Sequence, residues 1–323
     1  MKLVITARDY SNTGKEAMEL LYRSGFEIED HTEELFGSGS TEDEVIEASH
    51  DADIVIAGME TYSARVLEKC PKLRIISRRG IGYDNIDIDY CRAKGIKVLR
   101  ALGAVESSVA EAVMSYILYF ARRVDLQSEY MHKGEWHRLF MPGAKTRTIG
   151  LVGYGGVGKA IARKAKAMDM HILYYHRNPS EEALRGEPDE FGAKYTDLDK
   201  LLSESDYVSL NVPLGPDTVK MADKAFISKM KKGSVLINIA RGAVADETAM
   251  RDALISGHLG GAAVDVFDKE PCTDSLLIGC PNTILTPHTA PFTEENFAIS
   301  NYLAAENIVK LLDGSIDEKY VLI

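Results

Sequence analysis

Residues 148–162 read TIGLVGYGGVGKAIA, and this segment constrains the fold more tightly than any other. Gly153, Gly155 and Gly158 fit a GxGxxG spacing, with an apolar strand entering and an alanine-rich helix leaving. In that context the first glycine permits a tight turn and the second lets backbone approach a pyrophosphate. The third lets helix and strand pack closely. The helix N-terminus then offers free N–H groups and the positive end of its dipole to phosphate. The segment predicts a dinucleotide-binding domain.

The remainder of the chain agrees with that frame. Apolar, β-branched runs recur at 2–6, 53–58, 73–77, 96–100, 148–155, 171–176, 207–214, 234–240, 260–267 and 283–288. Stretches with helical spacing lie between most of them, such as Gly158 to Met168 and Glu247 to Ser256. Strands separated by helical crossovers predict an α/β fold of parallel sheets covered on both faces. A chain of 323 residues has room for about two domains. Ser107 to Val124 reads as a helix opened by Ser107 and Ser108, with Glu111 near its first turn. Its apolar residues Val109, Val113, Met114, Tyr116, Ile117 and Phe120 nearly encircle it, which predicts burial at a domain junction or subunit interface. Thr293 to Asp313 reads as an amphipathic helix stopped by Gly314, able to carry the chain back to its first domain.

Charge and cysteine content exclude several classes. Lys and Arg total 38 against 49 Asp and Glu, a net charge of −11, so no basic surplus exists to neutralise nucleic-acid or anionic-lipid phosphates. No apolar run reaches the roughly 18 to 20 residues of a membrane helix. The opening Met1 to Asp9 meets charge too early for a signal peptide and reads as a first strand. Cys70, Cys91, Cys272 and Cys280 form no CxxC pair and have no His partner at zinc spacing. These features predict reduced thiols, no metal and a cytoplasmic location.

At the end of the next strand, 171–176, an NAD-preferring site usually carries Asp or Glu to accept from the ribose hydroxyls. This chain has His176 and Arg177 there, with no acid until Glu181. A guanidinium binds a 2′-phosphate with charge-assisted hydrogen bonds, whereas a carboxylate repels it. The reading is NADP(H) as preferred cofactor, with NAD(H) as the alternative. Farther on, three strand ends carry chemistry. Arg241 lies at the carboxyl end of 234–240, Asp265 and then Glu270 at that of 260–267, and His288 at that of 283–288. Ligands collect outside the carboxyl ends of strands in open α/β sheets. There an Arg can hold a carboxylate bidentately, and a His paired with a carboxylate can move a proton near neutral pH.

These segments, with Arg79-Gly80-Ile81-Gly82-Tyr83-Asp84-Asn85-Ile86-Asp87, Ser108-Val109-Ala110-Glu111, Asn238-Ile239-Ala240-Arg241-Gly242, Asp265-Val266-Phe267-Asp268-Lys269-Glu270-Pro271 and Pro287-His288, resemble the D-isomer-specific 2-hydroxyacid dehydrogenases nearly end to end. The resemblance implies two Rossmann-like doubly wound domains. One is a flavodoxin-like substrate domain, 1–100 plus 292–323. The other is an NAD(P)-binding domain, 101–291. It implies a homodimer and hydride transfer between NAD(P)(H) and a small 2-keto or D-2-hydroxy acid such as glyoxylate, hydroxypyruvate or 3-phosphoglycerate.

The resemblance also implies residue roles. Arg241 would anchor the α-carboxylate and polarise the carbonyl. His288 would exchange the proton, and Glu270 would hold the imidazole and raise its pKa. Cofactor positions would be Gly153, Gly155, Gly156, Val157, Gly158, His176, Arg177, Val212, Pro213, Ile239, Ala240, Asp265 and the stretch from His288. For Asp265, facing the nicotinamide and a purely structural role both stay open. Substrate positions would be Arg78, Arg79, Gly80, Ile81, Gly82 and Arg138. In the phosphoglycerate branch, positions matching Arg78 and Arg138 are associated with the substrate phosphate, and another arginine of that branch is replaced near Ala57. Two further departures are His176, in place of the ribose-binding acid, and Pro291, where many members have a small residue. Ending at Ile323, the chain leaves no room for the regulatory C-terminal domains of longer phosphoglycerate dehydrogenases. Two other functions share the fold: a dinucleotide-sensing corepressor, and a dehydrogenase of formate or phosphite.

Overall fold

A computed structural model describes residues 1–33, 37 and 39–323. The chain divides into two compact units, Met1–Val105 with Phe292–Ile323, and Glu106–Pro291. Both are doubly wound α/β sheets, as the alternating runs predict.

The first unit holds five strands: β1 (Lys2–Ile5), β2 (Glu27–Asp30), β3 (Ile54–Ala57), β4 (Ile75–Arg78) and β5 (Lys97–Arg100). They pair in parallel in the order β2-β1-β3-β4-β5. Every residue of β3 and β4 is buried, because helices cover both faces of the sheet centre. Strand β2, Glu-Ile-Glu-Asp, is absent from the sequence reading. It is an edge strand paired only with β1, so it needs no apolar run. Helix Glu294–Asp313 folds into this unit, capped by the Thr293 hydroxyl at one end and by left-handed Gly314 (φ 79°) at the other. Its Ala304, Ala305 and Ile308 pack into one core with Leu3, Ile5, Ile56 and Leu99.

The second unit holds seven parallel strands: β6 (Thr148–Val152), β7 (His171–Tyr175), β8 (Lys194–Tyr195), β9 (Tyr207–Leu210), β10 (Ser234–Asn238), β11 (Leu259–Val264) and β12 (Thr283–Leu285). Their order is β12-β11-β10-β9-β6-β7-β8, so chain direction across the sheet reverses between β6 and β9. A crevice opens at such a reversal. β8 has only two residues and left no periodic signal.

The expected helix 107–124 runs from Glu106 to Arg122, with Ser107 and Ser108 inside its first turn rather than before it. Val109, Val113, Met114, Tyr116 and Ile117 are buried, and the exposed residues Ser107, Glu111, Ser115 and Leu118 line one narrow stripe. Those five apolar residues are buried within the chain itself, while Leu118 remains exposed. Left-handed Arg123 (φ 43°) ends it, and a second helix, Val124–His132, follows. Val124 and Met131 on this second helix, and Trp136 and Phe140 after it, are exposed. Among the described residues, no helix is long and apolar enough to cross a membrane, and no cluster of His, Cys, Asp and Glu could hold a metal ion. All four cysteines are free, and burial pushes the Cys70 and Cys91 thiols up to about 11.

Candidate active site

The glycine loop joins β6 to the helix Gly156–Ala167. Gly153 sits at φ 96°, and its amide donates to the Tyr175 carbonyl at 2.9 Å. A Cβ there would lie 2.6 Å from the Asn211 carbonyl oxygen, and one on Gly158 would lie 2.6 Å from the Gly153 carbonyl oxygen. A Cβ on Gly155 would meet nothing within 4 Å. The first and third glycines are thus demanded by packing, while the second faces open space at a helix N-terminus with no acid in its first turn. This arrangement fits a dinucleotide pyrophosphate, which needs close, uncharged backbone at that point.

The other proposed cofactor residues surround the crevice. Gly156 and Val157 open the helix, and Val212 and Pro213 follow β9 on its far side, after Asn211 donates its amide to the Val152 carbonyl at 2.8 Å. Ile239 and Ala240 follow β10, half-buried and buried respectively. Just past β7, the His176 ring lies 2.9 Å (Nδ1) from the Asn178 carbonyl, and Arg177 donates Nη1–H to Asp217 Oδ2 at 2.8 Å. Asp217 lies forty residues on in sequence, and the sequence reading gave no hint of it.

Strands β10, β11 and β12 are neighbours at one edge of the sheet, and Arg241, Glu270 and His288 all sit on the loops just beyond them. The buried Asn238 shapes the turn that presents Arg241. Its Oδ1 accepts from the Ala240 amide at 3.1 Å, and its Nδ2 donates to the Arg241 carbonyl at 3.0 Å. A Cβ on Gly242 would lie 2.0 Å from the Phe267 carbonyl carbon, so only glycine lets the Arg241 and Glu270 loops approach this closely. His288 Nδ1 lies 2.7 Å from Glu270 Oε2, and Glu270 Oε1 accepts from the Phe267 amide at 3.0 Å. Burial raises the Glu270 carboxyl, but His288, the Phe267 amide and the Arg241 charge more than offset that, leaving it below the usual carboxylate range.

Asp265 serves the loop that bears His288. Its Oδ1 accepts from the Thr286 hydroxyl at 2.6 Å and the Thr289 amide at 2.8 Å, and its Oδ2 accepts from the Ala290 amide at 3.0 Å. Its own carbonyl accepts from the His288 amide at 2.7 Å. Tyr116 extends the network, 2.8 Å from the Thr286 hydroxyl. Burial still leaves the Asp265 carboxyl above its ordinary value. Left-handed His288 (φ 55°) is held by these bonds. Of the two readings for Asp265, the geometry supplies the structural one directly. Thr286 and Tyr116 were not singled out from sequence, because ordinary polar and aromatic residues carry no spacing signal.

Of the substrate candidates, Arg78 to Gly82 belong to the first unit and Arg138 to the second. Arg78, buried at the end of β4, donates Nη1–H to the Arg79 carbonyl at 3.2 Å and Nη2–H to Met59 Sδ at 3.2 Å. Arg79 donates Nη1–H to the Arg8 carbonyl at 2.6 Å and stacks 4.5 Å over the Phe297 ring. Burial, with Arg78 adding to it, pulls the Arg79 guanidinium down to about 10. Gly80 is buried, and Ile81 and Gly82 are half-buried. Among the described residues, no protein acceptor receives the amides of Ile81 and Gly82. Arg138 is exposed in the second unit, 6.0 Å from the Trp136 ring.

A doubly wound parallel sheet with a glycine-lined crevice and an Arg, Glu and His set at its strand ends defines a nicotinamide-dependent oxidoreductase. Residues 114–290 match the family profile described as D-isomer specific 2-hydroxyacid dehydrogenase, NAD binding domain. A glyoxylate reductase of Korarchaeum cryptofilum is 36% identical over 285 residues, covering 86% of this chain and 85% of that protein. A D-3-phosphoglycerate dehydrogenase of Methanocaldococcus jannaschii is 35% identical over 298 residues, 91% of this chain but 56% of that protein, so this chain spans about half of that relative. The crystal structure of D-lactate dehydrogenase from Aquifex aeolicus, complexed with NAD and lactic acid, is 27% identical, with a TM-score of 0.84 over 100% of this chain and 99% of that one. The chain belongs to the D-isomer-specific 2-hydroxyacid dehydrogenase family. It is an enzyme that moves a hydride between a nicotinamide dinucleotide and the CH–OH carbon of a small 2-hydroxy acid.

Proposed function

We propose that the protein interconverts a short 2-keto acid of the glyoxylate or hydroxypyruvate kind and its D-2-hydroxy acid, with NADP(H) preferred over NAD(H). The observation that carries this reading is the 2.7 Å contact between His288 and Glu270 beside Arg241. Arg241 holds the α-carboxylate and draws electron density from the carbonyl. The bound nicotinamide supplies the hydride to C2 in reduction and accepts it in oxidation. As C2 is reduced, the carbonyl π pair moves to oxygen, which takes a proton from the His288 ring nitrogen not facing Glu270. In oxidation the same nitrogen takes the proton back. Glu270 fixes the ring orientation and offsets the imidazolium charge. The first unit serves as the substrate domain, with Arg78 to Gly82 as its substrate-binding positions, and Arg138 of the second unit is a further one. The unpartnered amides of Ile81 and Gly82 support this, since paired backbone N–H groups bind anions well.

Support for NADP(H) is the guanidinium of Arg177 where an NAD site carries an acid. A homodimer is proposed through the exposed Val124, Met131, Trp136 and Phe140, and a cytoplasmic location on the four free thiols. The test is a panel of 2-keto acids with NADPH and NADH, read at the nicotinamide absorbance band. Turnover of a short 2-keto acid, faster with NADPH, is the expected result. Tight dinucleotide binding with no turnover of any 2-keto acid would overturn the reading.

A further inference from the structure

Helix Glu106–Arg122 carries a phenol where packing alone asks only for phenylalanine. Tyr116 is buried, in one apolar core with Val113, Ile117, Ile149 and Ala263 of the second unit. A hydroxyl in such surroundings costs free energy unless it is bonded. This one lies 2.8 Å from the Thr286 hydroxyl, its only hydrogen-bond partner among the described residues. The helix can come this close because Gly261 of β11 has no side chain. A Cβ there would stand 2.5 Å from the Phe120 ring, one helical turn beyond Tyr116.

The direction of the bond follows from counting protons. Thr286 has one, and donates it to Asp265 Oδ1 at 2.6 Å. The bond between the two hydroxyls therefore runs from the Tyr116 phenol to Thr286. Burial raises the phenol above its ordinary value, which keeps that proton on it. Asp265 also accepts from the Thr289 amide at 2.8 Å and the Ala290 amide at 3.0 Å, and its carbonyl accepts from the His288 amide at 2.7 Å. The chain of donors thus ends on the backbone of the His288 loop. His288 itself sits at φ 55°, which a residue with a side chain keeps only where its surroundings hold it. Every member lies within Glu106–Pro291, as do Arg241 and Glu270.

We propose that Tyr116 is a positioning residue for proton transfer by His288: its O–H fixes the Thr286 hydroxyl and, through Asp265, the loop that aims the imidazole. The proposal rests on the acid–base role given to His288 above and extends it to helix Glu106–Arg122. Tyr116 acts through Thr286 and not on the reacting atoms. Without the phenol oxygen, Thr286 is free to turn away from Asp265, and the loop loses one of its ties.

The test is Tyr116→Phe, which removes one oxygen and keeps the packed ring. For reduction of a short 2-keto acid, kcat is expected to fall about three- to tenfold, one neutral hydrogen bond read as a rate. The solvent isotope effect on kcat should rise, because a poorly aimed imidazole makes proton transfer a larger share of the barrier. A merely structural role would lower the active fraction equally in light and heavy water and leave that ratio unmoved. Native kcat, or a lower kcat with the native isotope effect, overturns the proposal. Thr286→Val cuts the next link, so adding Tyr116→Phe to it should cost nothing more, and additive losses overturn the relay. Amide hydrogen exchange reads the loop without turnover. His288, Thr289 and Ala290 should exchange faster in Tyr116→Phe than in the native protein, and unchanged protection overturns the proposal. Should Tyr116→Phe fail to fold, the same exchange measurement on Thr286→Val decides in the same way. Because exchange needs no substrate, failure of the 2-keto acid reading and failure of this inference remain distinguishable.

Discussion

Two ion pairs lie at the carboxyl ends of the same seven-stranded sheet with almost equal contact distances, His288–Glu270 at 2.7 Å and Arg177–Asp217 at 2.8 Å. Their surroundings differ. The first pair's side chains are 23% and 17% exposed, the second pair's 73% and 76%. Water and salt screen an exposed pair until it contributes about 0 to 1 kcal/mol. A pair shielded from water keeps its field, and Glu270 shows this by staying below the usual carboxylate range against the pull of burial. Burial, not distance, separates a pair that holds one ring in place from a pair open to exchange with solvent ions.

The largest expected effect is on the shielded pair. His288→Ala removes the proton carrier, and a general acid–base group contributes about 10² to 10⁴ in rate, so kcat should fall by that order. Dinucleotide affinity, measured by fluorescence titration, should hold, because the glycine loop is untouched. Near-native turnover would show that the proton comes from elsewhere.

Glu270→Gln tests the pair's other half. Reduction consumes a protonated imidazole, and an uncharged partner stabilises that form less. The alkaline limb of the reduction profile should therefore move to lower pH, with kcat near neutrality falling about tenfold. The acid side has a separate signature. Since the Glu270 pKa is lowered by folding, its pairing stabilises the native state above the ordinary carboxylate value and is lost as pH falls through the lowered one. Native protein should lose more stability than the variant on acidification through that window, by thermal melts at stepped pH. Superimposable pH–rate profiles would sink the assigned role of Glu270.

The difference between the pairs also marks what sequence could convey. Gly153 and Gly158 were legible because packing leaves glycine no substitute there, Gly155 because it completes their spacing, and Arg241, Glu270 and His288 because rare chemistry recurs at successive strand ends. Strand β2 was not legible, since an edge strand reading Glu-Ile-Glu-Asp carries no apolar run. Helix Glu106–Arg122 was read as buried at a domain junction or subunit interface. Val109, Val113, Met114, Tyr116 and Ile117 are buried within the chain, a tertiary fact that periodicity cannot supply. Asp217 was not legible either, its partner being forty residues earlier in sequence.

The smallest expected effect belongs to that exposed pair. Under the proposed NADP(H) preference, an incoming 2′-phosphate competes with Asp217 for the Arg177 guanidinium. Asp217→Asn removes the competitor and its negative charge while leaving the loop's backbone in place. An exposed pair is worth about 0.2 to 1 kcal/mol, so NADPH should bind roughly two- to fivefold tighter, with NADH unchanged because it offers no 2′-phosphate. The gain should shrink in higher salt as exposed charges are screened. Dissociation constants for both dinucleotides at two ionic strengths measure this directly. Equal tightening of NADH would mean that Asp217 acts on the shared part of the cofactor rather than through Arg177. No change for either would mean that Arg177 does not meet the 2′-phosphate at all.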